Sequence, residues 1–132
     1  MRSLDTNVLA RYLVADNPKQ LAAVERVIED SRKKEEPLFL TVLVLCELVW
    51  VLSRSYHQSK AAIVQFLEQI LQTEQFKIEQ DALVRQSLGQ YRQGKGNFAD
   101  YLIGEISRRA GCRDTVTFDR ALEGTPGFTL LG

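Results

Sequence analysis

The stretch 39–52 reads FLTVLVLCELVWVL and is almost wholly apolar apart from Glu47 in its middle. The segment contains no basic residue that would neutralise this carboxylate. A carboxylate buried without a partner is strongly disfavoured, so it must stay protonated or meet a cation. Two interpretations are therefore open. Either the helix turns Glu47 towards solvent, or Glu47 faces a cleft that holds a metal ion or other carboxylates.

Composition limits the classes of protein that this chain can belong to. With 132 residues, 45% of them hydrophobic, the chain is long and apolar enough for one globular domain with a real core. The formal net charge is zero, which argues against a general nucleic-acid coat protein but not against an enzyme that grips phosphates locally. Cys46 and Cys112 lack CxxC spacing and follow no signal peptide, so we expect reduced thiols in a cytoplasmic protein. The apolar stretch is too short to span a bilayer, which needs roughly 20 residues.

Strand and helix signals alternate along the whole chain. Short strands are predicted at 3–4, 38–41, 76–78, 115–118 and 128–131, and the strand at 115–118 is predicted to be buried. Helix starts are predicted after Asn17, where Pro18 follows, and after Ser59 and Asn97, since these residues are good N-caps. In the helix after Asn97, the residues expected to face the core are Ala99, Leu102, Ile103 and Ile106.

This alternation predicts an α/β fold, in which a short parallel sheet is covered by helices on both faces as a three-layer α/β/α domain spanning 1–132. In such folds ligands bind outside the carboxyl ends of the strands. Asp5 and Asp119 each follow a predicted strand, while Glu47 and Asp100 lie in the early turns of helices. We therefore expect four carboxylates from distant parts of the chain to converge on one edge.

Each of these acids also has a purely structural interpretation. Asp5 fits an Asx turn, Asp119 a helix N-cap, and Asp100, three residues after Asn97, a capping box. Clustered carboxylates repel one another unless they are protonated or bridged by a cation. Hard oxygen ligands suit Mg²⁺ or Mn²⁺, which keep several waters and accept substrate phosphate oxygens.

Four short motifs lie along the chain: Asp5-Thr6-Asn7, Cys46-Glu47-Leu48-Val49-Trp50-Val51-Leu52, Asn97-Phe98-Ala99-Asp100 and Thr117-Phe118-Asp119-Arg120. In order and spacing they resemble those of the PIN-domain ribonucleases, and more narrowly the VapC-type toxins of bacterial toxin–antitoxin pairs. Each is weak alone, but together they cover essentially the whole chain. Many relatives have Asp where this chain has Asn97, and the opening strand carries Arg2 and Ser3 where relatives are often apolar.

The resemblance implies a function and a set of site residues. Asp5, Glu47, Asp100 and Asp119 would hold Mg²⁺ or Mn²⁺, and Thr6, Asn7 and Thr117 would orient ligands or water. The implied activity is metal-dependent hydrolysis of RNA that leaves a 5′-phosphate and a 3′-hydroxyl. The implied partners are RNA and a small antitoxin protein, and no membrane. A homodimer is expected as well, because symmetric pairing would bury surplus apolar surface.

Other classes of function stay open at the level of the sequence. A phosphate-accepting receiver domain would need adjacent acids after the first strand and a Lys after the last, and this chain has neither. A pure interaction module could use the same acids to bind a basic partner. A nuclease of this kind could also cut DNA or process RNA without being a toxin. The only histidine, His57, lies in a polar turn and is expected to be solvated surface.

Overall fold

The computed structural model describes residues 1–132, in which short strands alternate with helices. The strands are β1 (Arg2–Ser3), β2 (Leu38–Leu40), β3 (Phe76–Ile78), β4 (Thr115–Thr117) and β5 (Phe128–Leu130). The helices are α1 (Thr6–Val14), α2 (Pro18–Lys33), α3 (Val42–Arg54), α4 (Lys60–Gln72), α5 (Asp81–Gln93) and α6 (Phe98–Arg109), with a 3₁₀ helix at Arg120–Leu122. The predicted order of elements is confirmed, with ends that shift by one residue or so.

The chain divides into two compact units, Met1–Asp81 and Ala82–Gly132. Strands β1, β2 and β3 form a parallel three-stranded sheet in the first unit, with β2 in the centre. Strands β4 and β5 form a parallel two-stranded sheet in the second. Every strand pair is thus parallel, as predicted. The prediction of a single domain over 1–132 stays a prediction.

In the first unit the helix starts follow the local sequence. Asn17 accepts a hydrogen bond from the amide of Gln20, with Pro18 at the first helical position, and Ser59 accepts one from Ala62. Helix α1 packs with α2 and α3, and α3 packs with α4. The apolar stretch 39–52 divides into β2 and α3, and its fully buried side chains are Leu40, Leu45, Leu48 and Leu52. This stretch therefore supplies both a central strand and a core helix of its unit.

In the second unit, the predicted core face of α6 is confirmed only in part. Leu102 is buried and Ala99 half-buried as predicted, but Ile103 and Ile106 are exposed. Phe98, Tyr101 and Glu105 are buried as well. Hydrogen bonds compensate the burial of the two polar side chains. The hydroxyl of Tyr101 accepts a hydrogen bond from the amide of Gly96, and the Glu105 carboxylate accepts bonds from Gln86 and Arg108, so both polar groups are satisfied inside.

Strand β4 is not buried as predicted. Val116 is 59% exposed and Phe118, just beyond the strand, is 79% exposed. In the two-stranded sheet Val116 lies opposite Thr129, which is also exposed, whereas Thr115 and Thr117 on the other face are half-buried. The apolar sequence of 115–118 thus marks a strand but does not show whether both of its faces are covered.

The end of α6, the membrane character of the helices and the state of the cysteines are three further features of the chain. Gly111 follows α6 with φ of +98°, the left-handed conformation that glycine favours just after the end of a helix. No helix has the length and apolar character needed to cross a membrane. Both cysteines are free, as expected, with Cys46 half-buried on α3 and Cys112 exposed.

Candidate active site

The candidate site of the first unit begins with Asp5 at the carboxyl end of β1. The amide of Leu4 donates to the carbonyl of Phe39 and continues the parallel pairing up to this point. The chain then turns into α1, and Asp5 Oδ1 accepts a hydrogen bond of 3.0 Å from the amide of Val8. Asp5 is thus the N-cap of α1, and this bond fixes its carboxylate at the sheet edge.

Glu47 reaches the same place from the end of β2. Thr41 follows this strand as the N-cap of α3, and its hydroxyl accepts a hydrogen bond of 3.0 Å from the amide of Val44. Glu79, at the end of β3, accepts a bond of 2.8 Å from the amide of Val42 and so holds the first turn of α3. The ends of two neighbouring strands therefore fix the position of the helix that carries Glu47.

Asp5 and Glu47 line one open cleft of about 190 Å³. The other lining residues are Thr6, Asn7, Leu43 and Val44. Glu47 is exposed and has no hydrogen-bond or ion-pair partner, so the interpretation that the helix turns it towards solvent is confirmed. The two interpretations of Glu47 prove compatible, because its side chain is open to solvent and faces a cleft that contains a second carboxylate.

Thr6 and Asn7 form the first turn of α1 rather than a turn before it. Thr6 is buried in the wall of the cleft and Asn7 is exposed on it. Both residues thus belong to the same cleft as Asp5 and Glu47, where the resemblance places them.

Asp100 and Asp119 belong to the second unit, and each has a local structural role. Asp100 Oδ2 accepts a hydrogen bond of 2.8 Å from the amide of Asn97, which forms the capping box at the start of α6. Asp119 Oδ1 accepts one of 2.9 Å from the amide of Ala121 and caps the 3₁₀ helix. Thr117 Oγ1 accepts a bond of 3.0 Å from the amide of Asp119 and so fixes the turn after β4.

These local bonds occupy one oxygen of each carboxylate and leave the other without a bond. Within each unit taken by itself, no three His, Cys, Asp or Glu side chains are arranged as a metal site. Asp5 and Glu47 lie in one unit, and Asp100 and Asp119 lie in the other. The convergence of all four acids therefore stays a prediction.

Glu79 is a residue whose role the sequence did not reveal. Its side chain bonds to Val42, 37 positions earlier in the chain, so no local pattern signals the contact. The sequence does show that Glu79 follows a predicted strand, which is the same feature that indicated a role for Asp5. Arg11, a basic residue near the proposed edge, is already engaged, because it pairs with Asp16 at 3.2 Å and lies over the ring of Tyr56.

Comparison with known proteins places this chain in a family. The PIN domain family model matches residues 3–127, so the chain belongs to the PIN domain family. This membership agrees with the three-layer α/β/α fold class and sets aside the receiver-domain alternative. More narrowly, the chain is 31% identical over 120 residues to a VapC ribonuclease of Aquifex aeolicus (strain VF5), an alignment that covers 91% of this chain and 88% of that protein.

Proposed function

We propose that this chain is a divalent-metal-dependent endoribonuclease of the VapC type, the toxin of a toxin–antitoxin pair. Membership of the PIN domain family and the similarity to a VapC ribonuclease support the class of activity. The structural observation that carries the proposal is the cleft that Asp5 and the unpartnered Glu47 share at the carboxyl ends of β1 and β2. Ligand sites of parallel α/β folds lie in this position.

The donor atoms around this cleft fit a hard divalent cation. Carboxylate oxygens from Asp5 and Glu47 are the ligands that Mg²⁺ and Mn²⁺ prefer, and neither carboxylate is neutralised by a basic side chain. We propose that Asp100 and Asp119 complete the set with their free oxygens. Thr6, Asn7 and Thr117 would orient the acids or the substrate.

The residues of the site have separable tasks in hydrolysis. When bound, a divalent cation supplies Lewis acidity towards the scissile phosphodiester and makes water a better nucleophile near neutral pH. The carboxylates of Asp5 and Glu47 would hold the cation, and the bond from the Val8 amide keeps the Asp5 carboxylate at a fixed position. The cleft is open, which suits a polymeric substrate that must enter from the side.

The test is cleavage of single-stranded RNA by the purified full-length chain with Mg²⁺ or Mn²⁺, and its loss in EDTA. Glu47→Gln and Asp100→Asn should each abolish cleavage while the circular dichroism spectrum stays native. Glu68→Gln, a change of an acid on α4 that is not proposed for the site, is the matched control and should keep its activity. Cleavage that survives EDTA, or full activity in both site variants, would overturn the proposal.

The proposal extends to partners and cellular location. The chain would act in the cytoplasm, bind a small antitoxin that covers the cleft, and form a homodimer. Large apolar side chains that stay exposed in the second unit, Ile103, Ile106, Val116 and Phe118, support a further protein contact. Light scattering at tens of micromolar should give twice the chain mass, and a purely monomeric mass there would contradict the homodimer.

A further inference from the structure

An exposed stripe of mixed chemistry runs along α3. Leu43, Glu47, Trp50 and Arg54 follow one another at i, i+4, i+7 and i+11, so they share one side of the helix. All four are exposed, with Leu43 at 75% and Trp50 at 59%, whereas Leu45, Leu48 and Leu52 face the core. The stripe therefore places an apolar residue, a carboxylate, an indole and a guanidinium in line on the surface.

Folding of the first unit does not account for two of these side chains. Trp50 is the only tryptophan of the chain. A ring of this size contributes most to stability when it is buried, yet more than half of the surface of Trp50 is exposed to solvent. Arg54 forms no ion pair or hydrogen bond, although its charge is favourable near the carboxyl end of α3. Both groups are thus available to a ligand.

The stripe continues directly from the candidate active site. Leu43 and Glu47 line the cleft with Asp5. With a rise of 1.5 Å per residue, Trp50 lies about 4.5 Å and Arg54 about 10 Å further along the helix axis than Glu47. An extended strand whose phosphate lies at Glu47 would pass the indole and then the guanidinium.

We propose that Trp50 stacks on an unpaired base of the RNA substrate and that Arg54 contacts a phosphate of the same strand. An aromatic ring beside a cation is the usual combination in proteins that bind single-stranded nucleic acids. A protein partner laid on Trp50 and Arg54 would have to supply a carboxylate for the Arg54 guanidinium, whereas the RNA backbone carries a phosphate at every nucleotide. The inference rests on the proposed function, because it needs the scissile phosphate to lie at Glu47.

The sole tryptophan makes the contact directly observable. We expect the fluorescence of Trp50 in an Asp5→Asn variant, which binds without cutting, to be quenched on titration with an unstructured single-stranded RNA. An oligonucleotide with abasic sites should bind through its phosphates with much less quenching. Labelled RNA followed by anisotropy gives the affinity independently of the tryptophan.

Variants of the stripe separate stacking from charge. Trp50→Ala should weaken RNA binding roughly 5- to 100-fold, the range for loss of one base–aromatic stack, and Trp50→Phe should recover part of it. The slope of log K against log salt is negative, and Arg54→Ala should make it shallower by about 0.7, the value for one phosphate contact on a single strand. Leu131→Ala and Arg26→Ala, an exposed apolar residue after β5 and an exposed arginine on α2, should change neither quantity.

The possible outcomes are distinct. RNA binding without quenching, or wild-type affinity in Trp50→Ala, would overturn the stacking assignment. A change of oligomeric mass in Trp50→Ala, with RNA affinity unchanged, would overturn it in favour of a protein interface. If the wild type cuts RNA while the stripe variants behave normally, only this inference fails. If the wild type does not cut RNA, the proposed function itself fails.

Discussion

Glu79 accepts a hydrogen bond of 2.8 Å from the backbone amide of Val42, which joins the end of β3 to the first residue of α3. The first amides of a helix have no hydrogen-bond partner within it, so this bond satisfies an N–H donor that would otherwise stay unsatisfied in a half-buried position. It acts together with Thr41, whose hydroxyl caps the same turn. The helix that carries Glu47 is thus held in place by a residue that does not line the cleft itself.

The first prediction concerns this bond. Glu79→Ala should lower the free energy of unfolding by about 1–2 kcal/mol, because it leaves the Val42 amide without its partner. Glu79→Gln retains a carbonyl oxygen as acceptor and should lose less. Thermal or urea unfolding followed by circular dichroism measures both. Equal stability of Glu79→Ala and wild type would mean that water replaces the bond at no cost.

The second prediction compares two glycines in the middle of helices. A Cβ on Gly89 of α5 would meet nothing within 4 Å, whereas a Cβ on Gly104 of α6 would lie 2.9 Å from the ring of Phe128. Gly89→Ala should therefore stabilise the protein by about 0.5–1 kcal/mol, the gain in helix propensity. Gly104→Ala should lose that gain and destabilise by about 1 kcal/mol or more, since the Phe128 ring must shift.

Urea unfolding of the two variants provides the measurement, and each variant is the control for the other. If both substitutions stabilise the protein by the same amount, the close packing of α6 against Phe128 is not present in solution.

The third prediction concerns the two thiols. Burial raises the pKa of the Cys46 thiol above its ordinary value, because desolvation disfavours the thiolate. Cys112 is exposed. With a chromogenic disulfide reagent at pH 8, Cys112 should react first and Cys46 more slowly. As the pH increases further, the reaction rate of Cys46 should still rise in a range where the rate of an ordinary thiol has become constant.

Cys46→Ser and Cys112→Ser variants assign the two phases of that reaction. The raised pKa of Cys46 also makes the free energy of unfolding depend on pH. Because the folded state holds the Cys46 proton more tightly than the unfolded state, the contribution of Cys46 to stability is complete below the ordinary thiol pKa. It is lost as the pH rises through the raised pKa of the folded state. A fast phase that disappears in Cys46→Ser would contradict the burial of this thiol.

The sequence by itself determined the order of elements, because caps and periodicity are local signals. Asn17 before Pro18, Ser59, and the apolar run of 39–52 each predict an element that the structure contains. It also determined the family, because four short motifs at the right spacing span the whole chain. Asp5 and Glu47 could be paired in advance because the carboxyl ends of parallel strands meet at one edge of a sheet.

Only the tertiary structure decided which faces are covered. Periodicity placed Ile103 and Ile106 inward, but both are exposed, and Tyr101 and Glu105 are buried with hydrogen bonds to their polar groups. Burial of Val116 depends on a neighbouring layer that a strand sequence does not specify. The bond from Glu79 to Val42 likewise depends on how α3 sits on its sheet, and so does the exposure of the helical line Leu43, Glu47, Trp50 and Arg54. Such contacts join residues that are distant in the chain, and local sequence does not determine them.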